Sequence, residues 1–152
     1  MKVEKRLEEL QITLPNPPVP MASYVAYKIS GDMLYISGQG PMIDGKPQYV
    51  GKAGKDISFD DACQSARLCG LNLIALMKSA LGDLDRVEEI IHLKGFVSCD
   101  ADFADQPKVI NGASDLMVEV FGKAGAHTRC ALGTNSLPAN IPVEVEAIVK
   151  VR

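Results

Sequence analysis

The clearest pattern along the chain is a run of apolar residues at helical spacing between Ser58 and Gly82. Residues three or four positions apart share one face of a helix. The apolar face consists of Ala62, Ala66, Cys69, Leu73, Leu76, Met77 and Ala80. Ser58 followed by Asp61 resembles a capping box with the shorter acid, and Gly82 is suited to end a helix. We therefore predict one long helix with a single buried face.

Shorter patterns predict a second helix and three strands. Asp105 and Pro107 are suited to begin a helix, and Gly122 is suited to end it. Its apolar face would consist of Val109, Ala113, Leu116 or Met117, and Val120. Strands are predicted for Tyr24 to Ile29, Met33 to Ser37 and Val87 to Cys99. The first two are separated by a segment typical of a hairpin turn, Ser30-Gly31-Asp32.

Two more β-like segments lie near the C-terminus, at His127 to Leu132 and at Val143 to Val149. If they pair as a hairpin about the turn-forming loop between them, Arg129 and Glu144 lie roughly opposite each other. Alternation in the second segment places its valines on one face and Glu144 on the other. A cation and a carboxylate are therefore predicted to meet on one sheet surface.

The predicted order is β-β-α-β-α-β-β, which is typical of an α+β fold with two helices on one face of one mixed sheet. Residues 1–152 are expected to form one domain. Residues 1–22, a short charged helix and a proline-rich extended strap, are an extension to it. The glycine-rich loop from Met42 to Asp56 is expected to be exposed and mobile. The uncovered sheet face needs a partner, and we expect oligomerisation through it.

The pair formed by Arg129 and Glu144 has two interpretations. A solvated cross-strand ion pair would contribute only a few tenths of a kcal/mol to about 1 kcal/mol. Alternatively, the guanidinium of Arg129 binds a substrate carboxylate through two parallel hydrogen bonds, and Glu144 holds a water molecule. Spacing alone does not decide between these interpretations.

Composition argues against several classes of protein. The net charge is -3 and aromatic residues make up 5% of the chain, so neither the positive field nor the stacking surface of a nucleic-acid-binding protein is expected. Residues 1–10 lack the apolar core of a signal peptide, and the longest apolar stretch, Leu73 to Met77, is too short to span a membrane. We expect a cytoplasmic protein without nucleic-acid or membrane partners.

The cysteines and histidines do not have the spacing of a metal site. We expect reduced thiols without disulfides at the four scattered positions Cys63, Cys69, Cys99 and Cys130. Cys130 is expected to face the core, because adjacent strand residues point to opposite faces and Arg129 takes the other face. His92 is expected to be structural, and no metal is predicted.

Three further positions carry signals that are weak by themselves. Gly38, between Ser37 and Gln39, either lets a ligand approach the backbone at a strand end or marks a simple β-bulge. His127 could share a face with Arg129 and support it. Asn111 lies in the first turns of its helix, where a lone polar residue usually faces solvent.

Taken together, these segments resemble the YjgF-like or Rid (reactive intermediate deaminase) family, also known as L-PSP endoribonuclease-like proteins. The resemblance runs from about Tyr24 to the C-terminus. Its landmarks, in family order, are Tyr24, Gly31, Ser37-Gly38-Gln39, Asn111, Arg129, Leu137-Pro138 and Glu144-Val145-Glu146. The N-terminal extension and the loop from Met42 to Asp56 exceed the family pattern and could reshape or cover a cleft.

The resemblance implies a chorismate-mutase-like α+β fold, assembled as a homotrimer with three ligand clefts between subunits. It implies a hydrolase that deaminates 2-imino or enamine acids to 2-keto acids and ammonia, with no cofactor. By matching position, Arg129 would bind the substrate carboxylate and Glu144 would orient or activate water. The imine would contact the backbone around Ser37 and Gly38. The cleft would be lined by Tyr24 and Asn111.

Three other functions are considered. The same Arg129 could serve a non-catalytic protein that binds small carboxylates without effective activation of water. The endoribonuclease function in the family description lacks a basic groove and an acid-base pair in this sequence. Chorismate mutase activity rests on fold analogy alone, which is weak support for a function.

Overall fold

The centre of the molecule is a five-stranded sheet with two long helices packed on one face. The computed structural model describes residues 2–152. The strands of this sheet are β1 (Tyr27–Ser30), β2 (Met33–Gln39), β5 (Val87–Ser98), β6 (Thr128–Thr134) and β7 (Val143–Val151). A separate small hairpin consists of β3 (Met42–Ile43) and β4 (Lys46–Pro47). The helices are α1 (Val3–Glu9), α2 (Phe59–Leu81) and α3 (Gln106–Phe121), with 3-10 turns at Leu84–Arg86, Gly122–Gly125 and Pro138–Asn140.

The two long helices form as the apolar pattern predicts. The Oγ of Ser58 accepts a hydrogen bond from the backbone N–H of Asp61 at 3.1 Å, and α2 ends at Gly82, which has a positive φ of 75°. Leu116 and Met117 of α3 are both fully buried, so both of the alternatives left open for this face belong to the core. None of the helices within residues 2–152 is long and apolar enough to cross a membrane.

Strand β5 lies between β6 and β7, so the hairpin predicted for the two C-terminal segments is wrong. The strand order is β1-β2-β7-β5-β6, and β5 and β6 are its one parallel pair. Because α3 returns the chain across the sheet before β6 begins, β6 aligns parallel to β5 and takes its free edge. Residues 140–142 then pass the end of β5, where Ser98 N donates to Pro142 O at 2.8 Å. Strand β7 therefore pairs on the other side, between β5 and β2.

Alternation along β7 gives the sheet its two faces. Val143, Val145, Ala147, Val149 and Val151 are buried under the helices, whereas Glu144, Glu146, Ile148 and Lys150 lie on the uncovered face and are half-buried. This is the alternation that the sequence predicts. The mixed sheet with both long helices on one face also agrees with the predicted α+β class.

The N-terminal extension packs onto this layer. Val3 and Leu7 of α1 belong to the hydrophobic core, and Arg6 Nε donates to Glu119 O of α3 at 2.9 Å. Residues 14–20 contain no helix or strand, as expected for a segment in which proline fixes φ. The strap leads from α1 to the first strand of the sheet.

The loop from Met42 to Asp56 is exposed over much of its length, as predicted, but it is anchored at several points. It contains the small hairpin of β3 and β4, and both Gly51 and Ala53 are buried. Ala53 N donates to Ser98 O at 2.9 Å, and Gly51 N donates to Asn140 O at 2.7 Å. These backbone bonds hold the loop against the end of β5 and the turn before β7, and the mobility of the loop stays a prediction.

The prediction that Cys130 faces the core is wrong. Strand β6 is an edge strand whose helix-side positions are taken by Arg129 and Ala131, so the thiol lies on the uncovered face and is exposed. Lys94 and Glu146 form an ion pair of 3.6 Å on the same face. Apolar side chains surround this pair, namely Tyr35, Phe96, Leu132 and Ile148.

We predict that Gly112→Ala destabilises the protein strongly. A Cβ at this position of α3 would lie 2.2 Å from the backbone oxygen of Cys63 in α2, so the two helices would have to separate. Overpacking of this kind costs about 1–3 kcal/mol or more. Urea unfolding measures the loss, with Gln64→Ala on the exposed face of α2 as a control that changes stability by less than about 0.5 kcal/mol. Equal effects of the two substitutions would contradict this close helix contact.

Candidate functional site

A cavity of about 570 Å³ lies where the end of β2 meets the start of β7. The strap forms one side of it, the loop after β2 a second side, and the turn before β7 a third. Three of the predicted site residues line it together, namely Tyr24, Gly38 and Glu144. The lining is completed by Asn16, Pro17, Pro18, Val19, Met21, Gln39, Gly40, Met42, Asp44, Gly45, Pro138, Ala139 and Ile141.

Gly38 is required by the close packing of the Glu144 carboxyl group. A Cβ at position 38 would lie 2.6 Å from Glu144 Oε2. The pairing of β2 with β7 is irregular between Ile36 and Gln39, so Gly38 lies in a bulge. The bulge interpretation of this glycine is confirmed, and the approach of a ligand to its backbone stays a prediction.

Glu144 is a carboxyl group of the cavity with a shifted pKa. Partial burial raises the pKa of its carboxyl group, and the neighbouring charge of Glu146 raises it further. The protonated form is therefore more accessible than in a solvated glutamate. A carboxyl group of this kind is suited to exchange a proton with a ligand or to attract a cation.

Ser37 lies beside this cavity, but its side chain has another partner. Its Oγ donates to Val25 O at 2.7 Å, and its N–H donates to Ala26 O at 2.9 Å. These bonds continue the contact of β1 with β2 beyond Tyr27, where β1 begins three residues later than predicted. The Ser37 carbonyl in turn accepts from Gln39 Nε2 at 2.9 Å. The part of this segment that remains open to the cavity is the glycine.

Asn72 supports the cavity from below, and sequence reasoning missed it. It lies on the buried side of α2, where its Nδ2 donates to Gly40 O at 3.0 Å and to Met42 O at 2.9 Å. These two bonds tie the loop after β2 to the helix. The available signal was a lone amide within an apolar stripe, because a buried polar group needs partners from elsewhere in the fold.

Arg129 lies at the opposite edge of the sheet, on the helix side of β6. Its Nη1 donates to Ser114 Oγ at 3.1 Å, and its Nη2 donates to Pro107 O at 3.1 Å. Asn111 is exposed on α3, one turn before Ser114, and so lies on the same side of the molecule. Arg129 and Asn111 thus form a second group of predicted site residues, held by α3.

His127 supports Arg129 through Ser114, as the sequence suggested. His127 Nδ1 lies 2.6 Å from Gly125 O, and its Nε2 lies 2.9 Å from Ser114 Oγ. A carbonyl oxygen only accepts, so Nδ1 carries a proton. In the neutral ring Nε2 then accepts the serine hydroxyl proton, which leaves Oγ free to accept from Arg129. The hydrogen bonds therefore run in one direction, from arginine to serine to histidine to backbone.

Arg129 and Glu144 do not meet within one chain. Arg129 aligns with Leu93 and, beyond it, with Ala147, on the face covered by the helices. Glu144 aligns with Phe96 on the uncovered face. Two strand spacings and three residues of offset separate the two Cα atoms by about 14 Å, with their side chains on opposite faces. The sheet surface predicted to carry both groups does not exist in a single chain.

One cluster of acidic residues outside this region gives only weak support for a metal site. Within residues 2–152, one set of three candidate ligands lies close together, and it consists of Glu4, Asp83 and Asp85. Asp85 accepts from Val3 N at 2.7 Å and lies 3.7 Å from Lys2 Nζ, so it already has partners. This acidic cluster is a helix-end contact. His92, predicted to be structural, bonds to Thr128 Oγ1 through Nδ1 at 2.8 Å.

We predict that the neutral ring of His127 carries its proton on Nδ1 and that Ser114 depends on this ring. Long-range nitrogen NMR of the neutral imidazole should show an unprotonated Nε2. Ser114→Ala removes a bond to each of two neighbours and should lower stability by about 1 kcal/mol. Ser114→Thr, which keeps the hydroxyl, should lose less. A proton on Nε2 in the unsubstituted protein would contradict the direction of these hydrogen bonds.

The sequence matches a known protein family and a known relative over almost its whole length. The family model described as "YjgF/chorismate_mutase-like, putative endoribonuclease" matches residues 4–149. Protein TCP17 of Trypanosoma cruzi is 41% identical over 150 residues, which cover 98% of this chain and 94% of TCP17. These matches begin well before Tyr24 and include the N-terminal extension, so the expectation that this extension exceeds the family pattern is wrong.

Solved structures agree over the same length. The protein Atu1372 of Agrobacterium tumefaciens, of unknown function, is 45% identical, with a TM-score of 0.91 over 99% of this chain and 92% of its own. A Shewanella oneidensis protein with the same endoribonuclease designation is 34% identical, with a TM-score of 0.95 over 99% of this chain and 100% of its own. The chain therefore belongs to the YjgF/chorismate-mutase-like family, as its sequence resemblance indicated, and has the fold of that family.

Proposed function

We propose that the protein hydrolyses reactive 2-imino or enamine acids to 2-keto acids and ammonia, in clefts formed between the subunits of a homotrimer. The observation that carries this proposal is the separation of Arg129 from Glu144. Each has a structured setting of its own, yet one small substrate cannot reach both in a single chain. Two copies are needed to combine them.

The charge of the cavity supports a composite cleft. Its lining includes the carboxyl groups of Asp44 and Glu144 but, within the described residues 2–152, no Lys or Arg. A substrate carboxylate alone would be repelled there, whereas a guanidinium from another copy would attract it and would also lower the raised pKa of Glu144. Arg129 is suited to supply that guanidinium, because it lies on the edge strand β6 at the far side of the sheet.

The uncovered sheet face also favours assembly. Its apolar side chains include Tyr35 and Leu132, which are 46% and 48% exposed. A patch of this kind beside an ion pair is typical of a surface that a partner covers. Contacts that join an edge of one copy to a cavity of the next are head-to-tail, and they close into a ring when the rotation between copies is suitable. A threefold ring meets this requirement.

The proposed reaction follows from the two groups. Arg129 of one copy binds the carboxylate through parallel hydrogen bonds, which orients the carbon of the C=N bond toward Glu144 of the next copy. Glu144 accepts a proton from water as the water oxygen adds to that carbon, and it passes this proton to the imine nitrogen, so a carbinolamine forms. Glu144 then moves the hydroxyl proton of the carbinolamine to the nitrogen as the C–N bond breaks, which releases ammonia and leaves the 2-keto acid. Tyr24, Asn111 and the backbone around Ser37 and Gly38 would line this space.

Two alternative functions predict different results in the same assays. A non-catalytic carboxylate-binding protein would use Arg129 in the same way but would not consume the imine. The endoribonuclease designation of the family favours RNA as a second candidate, although the acidic cavity and the net charge of -3 oppose binding of a polyanion. Salt-dependent binding and cleavage of single-stranded RNA would support that candidate.

We predict that Arg129→Ala and Glu144→Gln each abolish most of the imine hydrolysis. Loss of the carboxylate contact should lower kcat/KM by about 30-fold or more, and loss of the proton acceptor should lower it on the order of 100-fold. Keto-acid release from an imine produced by a coupled amino-acid oxidase measures both. The controls are Glu8→Gln, an exposed carboxylate on α1, and Arg67→Ala, an arginine paired with Glu119 at 3.2 Å. Undiminished turnover in Arg129→Ala would remove the proposed role.

A mixing experiment tests the composite cleft. Arg129→Ala and Glu144→Gln chains, co-folded in equal amounts, should form trimers in which about one quarter of the clefts combine an intact arginine with an intact glutamate. Activity should therefore recover to about one quarter of that of the unsubstituted protein. Each variant folded alone should stay inactive. If one chain supplied both residues, the mixture would show no recovery.

A further inference from the structure

We propose that the cavity beside Glu144 selects 2-imino acids with a large apolar side chain, such as those derived from leucine, methionine or phenylalanine. This inference rests on the proposed function and names its substrate class. The volume of about 570 Å³ lies within the range of about 300–1,000 Å³ found for sites that hold drug-sized ligands. An imino acid of pyruvate size would leave most of this space unfilled.

The polar groups of the cavity are few, and one of them is already paired. Asn16 Nδ2 donates to Asp44 Oδ1 at 3.1 Å, which ties the strap to the turn between β3 and β4. This bond satisfies one oxygen of Asp44 and leaves Glu144 as the carboxyl group best placed to act on a substrate. The reactive end of an imino acid therefore fits near Glu144 and Gly38.

The rest of the lining is mostly apolar and comes from three separate segments. Its main contributors are Pro17, Pro18, Met21, Met42, Pro138 and Ile141. A hydrocarbon side chain that leads away from Glu144 would bury apolar surface against these residues, with about fourfold tighter binding for each methylene group. An anionic side chain would meet the carboxyl groups of Asp44 and Glu144 and no Lys or Arg among the described lining residues, so binding would cost its hydration without a compensating ion pair.

The rim of the cavity is incompletely covered in the chain by itself. Met21 is 80% exposed and Val19 is 77% exposed, although both lie at the cavity. Flexible, polarizable methionine side chains adapt to apolar ligands of different shape. A substrate side chain that covers Met21 would remove this exposure, which gives the strap a role in selecting the substrate.

Hydrogen bonds and close packing restrain parts of the cavity wall. Asn72 holds the loop at Gly40 and Met42 through the two bonds described above. A Cβ at position 40 would lie 2.6 Å from Ile141 Cδ1, so the glycine permits the loop and the turn before β7 to pack directly together. The proline residues of the strap restrict its backbone, because the proline ring fixes φ. A preformed cavity favours one size of ligand because little ordering is needed on binding.

The test uses the assembled full-length protein with keto acids as stable product-like ligands. Isothermal calorimetry compares pyruvate with 4-methyl-2-oxopentanoate and phenylpyruvate, and the oxidase-coupled assay compares imines from alanine, leucine and phenylalanine. We expect at least about tenfold preference for the large members in both measurements. Met21→Ala should reduce that preference several-fold, and it should fold normally because the side chain is exposed. Val50→Ala, at a half-exposed valine outside the cavity, is the matched control.

The outcomes separate this inference from the proposed function. If large keto acids bind tightly through Met21 but no imine is hydrolysed, the proposed activity fails and the selective cavity stands. If imines of all sizes are hydrolysed equally and Met21→Ala changes nothing, the activity stands and this inference is overturned. Dissociation of the assembly in Met21→Ala without a change in selectivity would also overturn it, because the strap would then serve a contact between subunits.

Discussion

The pairing of β5 with β7 on one side and with β6 on the other is the constraint on which the rest of the structure depends. It joins three long strands into one sheet, and it provides the face on which α2 and α3 bury their apolar stripes. It also separates the two strands that carry the candidate chemistry. The positions of Arg129 and Glu144 are therefore consequences of strand order.

Each half of the candidate site is built by a different kind of support. Arg129 is held by hydrogen bonds to α3, in a chain that continues through Ser114 to His127. Glu144 is held by close packing against a glycine bulge, where no side chain could fit. The first arrangement orients a cation, and the second leaves a carboxyl group partly desolvated. In the proposed assembly, complementary charge would attract the guanidinium of one copy to the carboxyl group of the next.

The N-terminal extension changes the surroundings of the glutamate. Residues of α1 enter the core, so the strap that follows is fixed at its beginning. After its other end, the bonds from Ser37 to Val25 O and Ala26 O attach the chain to β2. Between these anchors it walls a cavity together with the turn between β3 and β4. The sequence landmarks began near Tyr24 and missed this wall, although the family model matches from residue 4.

Sequence alone determined the elements and their faces, because helix and strand periodicity are local properties: the stripe of α2, its cap at Ser58 and the alternation of β7 were all predictable. It also identified Tyr24, Gly38, Asn111, Arg129 and Glu144 as candidates. Only the tertiary structure decided which strands are neighbours, since a hairpin and a crossover both satisfy the same alternation. That strand order exposed Cys130 and placed Arg129 and Glu144 on opposite faces. The packing of α2 anchored the loop after β2 through Asn72. Residue spacing does not encode these outcomes, because strand partners and helix contacts are selected by long-range packing.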